Sequence, residues 1–143
     1  MTFDEIERQL PWGLHDASLQ RVEIDWRMKR VIIDLGVKMT KRQDVEKLVR
    51  VTVVGLVYCS VDPPVMNPSA GYDAIPQGGL SIDTGSGAGD LQAGASLPET
   101  PPGAFLQWIF VREWNRFIHI CGRDAGFSWL EGEVGRETRT EGS

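Results

Sequence analysis

Residues 101–131, PPGAFLQWIFVREWNRFIHICGRDAGFSWLE, constrain the fold more than any other part of the chain. They hold three of the five tryptophans (Trp108, Trp114, Trp129) and four of the five phenylalanines (Phe105, Phe110, Phe117, Phe127), interleaved with β-branched residues. Such a composition suits a pleated, half-buried surface, and the interruptions Trp114-Asn115-Arg116 and Asp124-Ala125-Gly126 fall where turns belong. Consecutive antiparallel strands are the reading. Residues 105–113 are apolar on both faces, with Leu106, Trp108 and Phe110 alternating against Phe105, Ile109 and Val111, which predicts a central strand with Trp108 buried. Residues 117–123 place Ile118 and Ile120 on one face and Phe117, His119 and Cys121 on the other. Arg123-Asp124-Ala125-Gly126 then reads as a hairpin loop with glycine in the left-handed position, leading into a last strand over 127–130. A helix competes for the same stretch, because Leu106, Ile109, Phe110, Glu113, Phe117, Ile118 and Cys121 also fall near one helical stripe behind Pro101 and Pro102. The aromatic and β-branched content favours strands.

Upstream, Thr2 and Glu5 have capping-box spacing, so a short helix is expected from Phe3 to a stop before Pro11. Residues 18–26 alternate Val22, Ile24 and Trp26 with Arg21, Glu23 and Asp25, the pattern of a strand with one wet face. A turn at 27–30 leads to a second strand whose inward face is Val31, Ile33, Leu35, Val37 and Met39. A polar connection over 40–46 precedes a long third strand, 48–61, in which Gly55 marks a bulge or a close approach. The fold class that follows is α+β and predominantly β: an antiparallel sheet or partly closed barrel of five to seven strands with a short N-terminal helix.

The 143 residues are expected to form a single domain that buries about two-thirds of its unfolded surface. Residues 62–103 change character, with eight glycines and seven prolines, and read as a flexible insertion that either stays irregular or hides a short strand at 80–83. The charged tail at 132–143 is expected to fray. The net charge is −5, and no Lys or Arg lies between Arg50 and Arg112, so Asp62, Asp73, Asp83, Asp90 and Glu99 account for all of it. With no basic stripe, nucleic-acid binding is disfavoured. No apolar run approaches the ~20 residues of a membrane span, and MTFDEIERQL is acidic where a signal peptide is basic, so a cytoplasmic protein without membrane contact is expected.

Few residues offer chemistry. The glycine-rich run 84–90 lacks a following Gly-Lys-Ser/Thr and a following helix pattern, so it reads as a linker and not as a phosphate cradle. Asp83 and Asp90 lack calcium-loop spacing. His15-Asp16 and His119 are the histidine chemistry available, and Ser18, Ser60 or Cys121 are the nucleophiles a triad could recruit. Structural roles are the simpler account: His15 and Asp16 bonding the turn before the first strand, and His119 a hydrogen-bonded core or cleft histidine. A zinc site from His15, His119 and Cys121 lacks any close-spaced ligand pair, so no metal and no cofactor is expected. Cys59 and Cys121 read as reduced core thiols, with a disulfide between neighbouring strands as the alternative.

The stretch Trp12-Gly13-Leu14-His15-Asp16-Ala17-Ser18-Leu19, leading into a strand that ends Glu23-Ile24-Asp25, resembles the opening of small bacterial immunity proteins of polymorphic toxin systems. The resemblance covers residues 12–39. It implies a non-enzymatic protein that neutralises a toxin by binding it, often through an acidic surface, and it transfers no catalytic residue. The expectation is a protein-binding module using the acidic segment 62–99 and adjoining aromatics, with His15, Asp16, Asp73, Asp83, Asp90, Trp114 and His119 as candidate binding residues. The oligomeric state is left open, a homodimer among the alternatives. A small hydrolase or ligand-binding protein with His15, Asp16 and His119 in one cleft is the competing expectation.

Overall fold

The computed structural model describes residues 1–14, 16–39, 46–61, 79–89 and 97–133. It opens with α1 (Phe3–Gln9), started by the expected capping box: the Glu5 amide donates to Thr2 Oγ1 at 3.3 Å and the Thr2 amide to Glu5 Oε1 at 2.7 Å. Leu10 caps its end just ahead of Pro11, and Phe3 and Ile6 point into the core.

Eight strands follow among the described residues: β1 (Ser18–Asp25), β2 (Arg30–Lys38), β3 (Glu46–Val54), β4 (Tyr58–Val61), β5 (Leu80–Ser86), β6 (Phe105–Val111), β7 (Arg116–Gly122) and β8 (Asp124–Glu133). They form one open antiparallel sheet in the order β4-β7-β6-β5-β1-β2-β3-β8. The chain is thus predominantly β with one short helix, but the strands number eight where five to seven were expected. Two causes add strands. Gly55 breaks the long run 48–61 by adopting φ +63°, so β3 and β4 are separate and lie at different places in the sheet. The apolar patch at 80–83 is a strand, extended to Ser86.

The sheet bends at β5. Its first two residues pair with β1 (Ser18 with Ser81, Leu19 with Leu80), and residues 82–86 pair with β6. Val31, Ile33, Leu35 and Val37 of β2 and Val49, Val51 and Val53 of β3 share one buried cluster with Ile82, Ile109, Val111, Ile118 and Ile120 and with Phe3 and Ile6 of the helix. Each of these side chains contributes roughly 1.5–3 kcal/mol relative to full exposure. Gly122 lets the halves approach, because a Cβ there would stand 2.4 Å from Val53 Cγ1.

Two local expectations are corrected, and one alternative is set aside. The 123–126 stretch is no hairpin loop: β8 begins at Asp124 and pairs with β3 along Asp124–Val54 to Trp129–Val49, and the Arg123 amide donates to the Val54 carbonyl at 3.1 Å. A single residue between β7 and β8 cannot reverse the chain, so it turns the corner to a different partner. Trp108 is half-buried and not in the core, since β6 is internal but its inward face carries Gln107, Ile109 and Val111. Trp108 lies outward against Gly85, where a Cβ would come within 2.5 Å of the indole, and packs edge-on against Phe117 at 5.8 Å. Finally, Cys59 and Cys121 lie on adjacent strands, but Cys59 is opposite core-facing Ile120 and Cys121 opposite Tyr58. Their side chains therefore leave opposite faces, and both thiols are free.

Candidate functional site

Two surfaces stand out, one at each end of the β1–β2–β3 ribbon. The first is the β1–β2 turn. Strand alternation carries the chain out to Asp25, whose Oδ1 accepts the Met28 amide at 3.0 Å, and Lys29 closes the turn with φ +54°. The Leu56 amide donates to the Lys29 carbonyl at 2.9 Å, tying the turn to the β3–β4 corner. Trp26 is 61% exposed and Met28 60%, the highest values among the large exposed apolar residues that the structure describes, and Val54 and Val57 beside the corner are exposed as well. Arg27 and Lys29 alternate with these side chains in the open, and Arg30 lies 3.8 Å from Asp25. This end is apolar and basic in a chain of net charge −5.

Between the ends, the outer face of the ribbon is held by ion pairs. Arg50 grips Asp34 through Nε at 2.8 Å and Nη2 at 3.0 Å, which raises the Arg50 pKa; Arg21 adds Glu23 and, at 3.8 Å, Asp34.

The second surface is a cleft of about 400 Å³ between the starts of β1, β3 and β5, the end of β2 and the residue that follows β6. Asp16, Ala17, Ser18, Lys38, Glu46, Gly79, Ser81 and Arg112 line it. The Lys38 ammonium sits 2.8 Å from Glu46 Oε2, and both side chains are largely enclosed, 18% and 14% exposed. Ser18 Oγ donates to Glu46 Oε1 at 2.9 Å while accepting from Gln20 Nε2 at 2.8 Å. On the facing wall Arg112 forks onto Asp83, 2.7 Å and 3.0 Å, and its Nη2 is 3.6 Å from Asp16 Oδ1; Asp83, then Asp16, raises the Arg112 pKa. Asp16 holds φ +58°, a conformation that Asp adopts more readily than most residues.

The residues expected from sequence are dispersed. Asp16 lines the cleft and Asp83 stands behind it, clamped to Arg112. His119 is buried, stacked on Phe117 at 5.5 Å with Nε2 placed 2.7 Å from the Ala88 carbonyl as a donor, and it does not line the cleft. Trp114 is half-buried against the core. His15, Asp73 and Asp90 lie outside the described residues. The other cleft side chains, Ser18, Lys38, Glu46, Ser81 and Arg112, come from five strands or strand ends, and only the strand register brings them together; of these, sequence reasoning singled out Ser18 alone, and only as a candidate nucleophile. Of the tip pair, Met28 fell in the expected turn, while alternation assigned Trp26 to the inward face of the first strand. Among the described residues no three His, Cys, Asp or Glu side chains are grouped to hold a metal ion, and no helix is long and apolar enough to cross a membrane. No family model matches this chain, and no curated protein or solved structure matches it.

Proposed function

We propose that this chain is a non-enzymatic protein-binding module whose partner docks on the β1–β2 tip, and that the partner is a toxin that it neutralises. The observation that carries the reading is the exposed Trp26–Met28 pair on a turn pinned by two hydrogen bonds. Trp, Met and Arg are enriched at protein interfaces, and Trp and Arg dominate their energetic hot spots. A backbone already held in place loses little freedom on docking. Arg27 and Lys29 select an acidic partner surface. The toxin reading rests on the immunity-protein resemblance over residues 12–39, which contain this hairpin. An acidic docking segment draws less support, since Asp83 is engaged by Arg112.

The test uses the immobilised chain beside a Trp26→Ser/Met28→Ser double variant. A partner retained by the parent should reconstitute a one-to-one complex, and the double variant should bind it at least about 30-fold more weakly, the loss of roughly 2 kcal/mol expected for a hot spot. Equal binding by both proteins would move the interface elsewhere. A toxin as that partner should regain activity when the double variant replaces the parent.

A hydrolase built on His15, Asp16 and His119 has less support, because His119 is enclosed away from the cleft that Asp16 lines.

A further inference from the structure

We infer that Met28 is an oxidation site that controls the docking tip: hydrogen peroxide converts its thioether to the sulfoxide in the free chain, and a tip carrying the sulfoxide holds its partner less tightly. The inference rests on the docking reading of the tip and adds a control to it.

Access selects the residue. The chain has four methionines, Met1, Met28, Met39 and Met66, of which Met66 lies outside the described residues. Met28 is 60% exposed and Met1 40%, whereas Met39 is half-buried against the core. The Met1 sulfur also accepts Gln9 Nε2 at 3.6 Å. Peroxide must reach a sulfur lone pair, so Met28 is oxidised ahead of Met39. The sulfur attacks one peroxide oxygen, and an S–O bond forms as the O–O bond breaks. The hydroxide that leaves takes the proton of the newly bound hydroxyl and departs as water. Sulfur has then lost two electrons and the peroxide has gained them.

The turn survives the change. Its hydrogen bonds run from the Met28 amide to Asp25 Oδ1 at 3.0 Å and from the Leu56 amide to the Lys29 carbonyl at 2.9 Å, and neither uses the thioether. Oxidation therefore alters the surface and leaves the backbone in place. A thioether is an adaptable apolar side chain, well suited to a contact with a partner, and a sulfoxide is polar and chiral. Its oxygen must give up water to enter an apolar interface, which costs free energy unless the partner supplies a donor. Trp26 keeps its indole beside it, so binding weakens without vanishing.

The experiment treats the whole chain with limiting hydrogen peroxide and locates the sulfoxide by peptide mass spectrometry. Met28 should be oxidised at least about threefold faster than Met39, with the thermal midpoint unchanged. Retention on a phenyl matrix, compared for each protein before and after peroxide, reads the apolar surface without a partner. The parent and Met39→Leu should elute earlier after oxidation, and Met28→Leu should not shift. Equal oxidation of Met39, a midpoint that falls as Met28 is oxidised, or a Met28→Leu protein that shifts as far as the parent would each overturn the inference. Against a partner retained by the parent chain, the Met28 sulfoxide should bind about tenfold more weakly and recover after treatment with methionine sulfoxide reductase. If Trp26→Ser/Met28→Ser binds that partner as the parent does, the docking reading fails and takes this inference with it. If the double variant loses binding while the sulfoxide keeps it, docking stands and only the control by oxidation is overturned.

Discussion

The two ends of the β1–β2–β3 ribbon share strands and alternation yet present opposite surfaces. At the turn end Trp26 and Met28 stand in water with Arg27 and Lys29 beside them. At the cleft end Lys38, Glu46 and Ser18 are locked into one hydrogen-bonded chain. The difference is what crosses the ribbon. At the turn the described hydrogen bonds are made by backbone amides, that of Leu56 to the Lys29 carbonyl and that of Met28 to Asp25, and the Trp26 and Met28 side chains stay mostly exposed. At the other end β5 pairs with the start of β1 and Arg112 follows β6 into the same cleft, and charges that become half-enclosed there must be paired. Enclosure by a neighbouring strand, more than residue type, decides which polar groups become fixed.

The contrast can be broken outright or sharpened by degrees. Ile33→Ala removes a fully buried side chain midway between the ends and should cost about 3 kcal/mol, lowering the urea midpoint for both ends together. A loss confined to one end would show that they are independent units. Glu46→Ala removes the carboxylate 2.8 Å from the largely enclosed Lys38 ammonium and should cost roughly 2 kcal/mol; a midpoint within error of the parent would mean that this pair adds nothing to stability. Gly55→Ala places a side chain at φ +63° with its Cβ 3.0 Å from Arg123 Cβ, so about 1–2 kcal/mol should be lost at the corner that braces the turn. The Trp26→Ser/Met28→Ser variant should change stability by no more than about 0.5 kcal/mol, since exposed side chains contribute little to folding. A larger drop would mean that the tip serves the fold and not a partner.

Much of this architecture is legible in the chain. The capping box of Thr2 and Glu5 starts the helix, and the Val22–Ile24 and Val31–Val37 alternations give the first hairpin, because both signals are local. Register between distant strands is not local. Nothing near Asp124 announces that its strand will leave β7 for β3, and a glycine two residues on looks like a hairpin whichever partner is chosen. Gly55 illustrates a smaller gap: the residue was marked as special, but a bulge and a full break have the same sequence. Trp108 was assigned inward on hydrophobicity, while the parity of Ile109 and Val111 with Gln107 set its face. The cleft was least legible. Asp16 belongs to it, but nothing in the sequence singled out Lys38, Glu46 or Arg112, which only β-pairing of Lys38 with Glu46 and the pairing of β5 with β1 bring together.

The late partner of β3 also shapes how the protein is made. β3 ends at Val54, and the strand that covers its outer edge begins only at Asp124. At roughly 5–20 residues per second on the ribosome, the backbone amides and carbonyls of that edge wait several seconds for their mates, next to the Val49, Val51 and Val53 side chains. During that interval the nascent chain offers an unpaired, hydrophobic strand to chaperones and to neighbouring chains alike. A premature stop ahead of Asp124 makes the condition permanent, and such fragments should add strands to one another and precipitate.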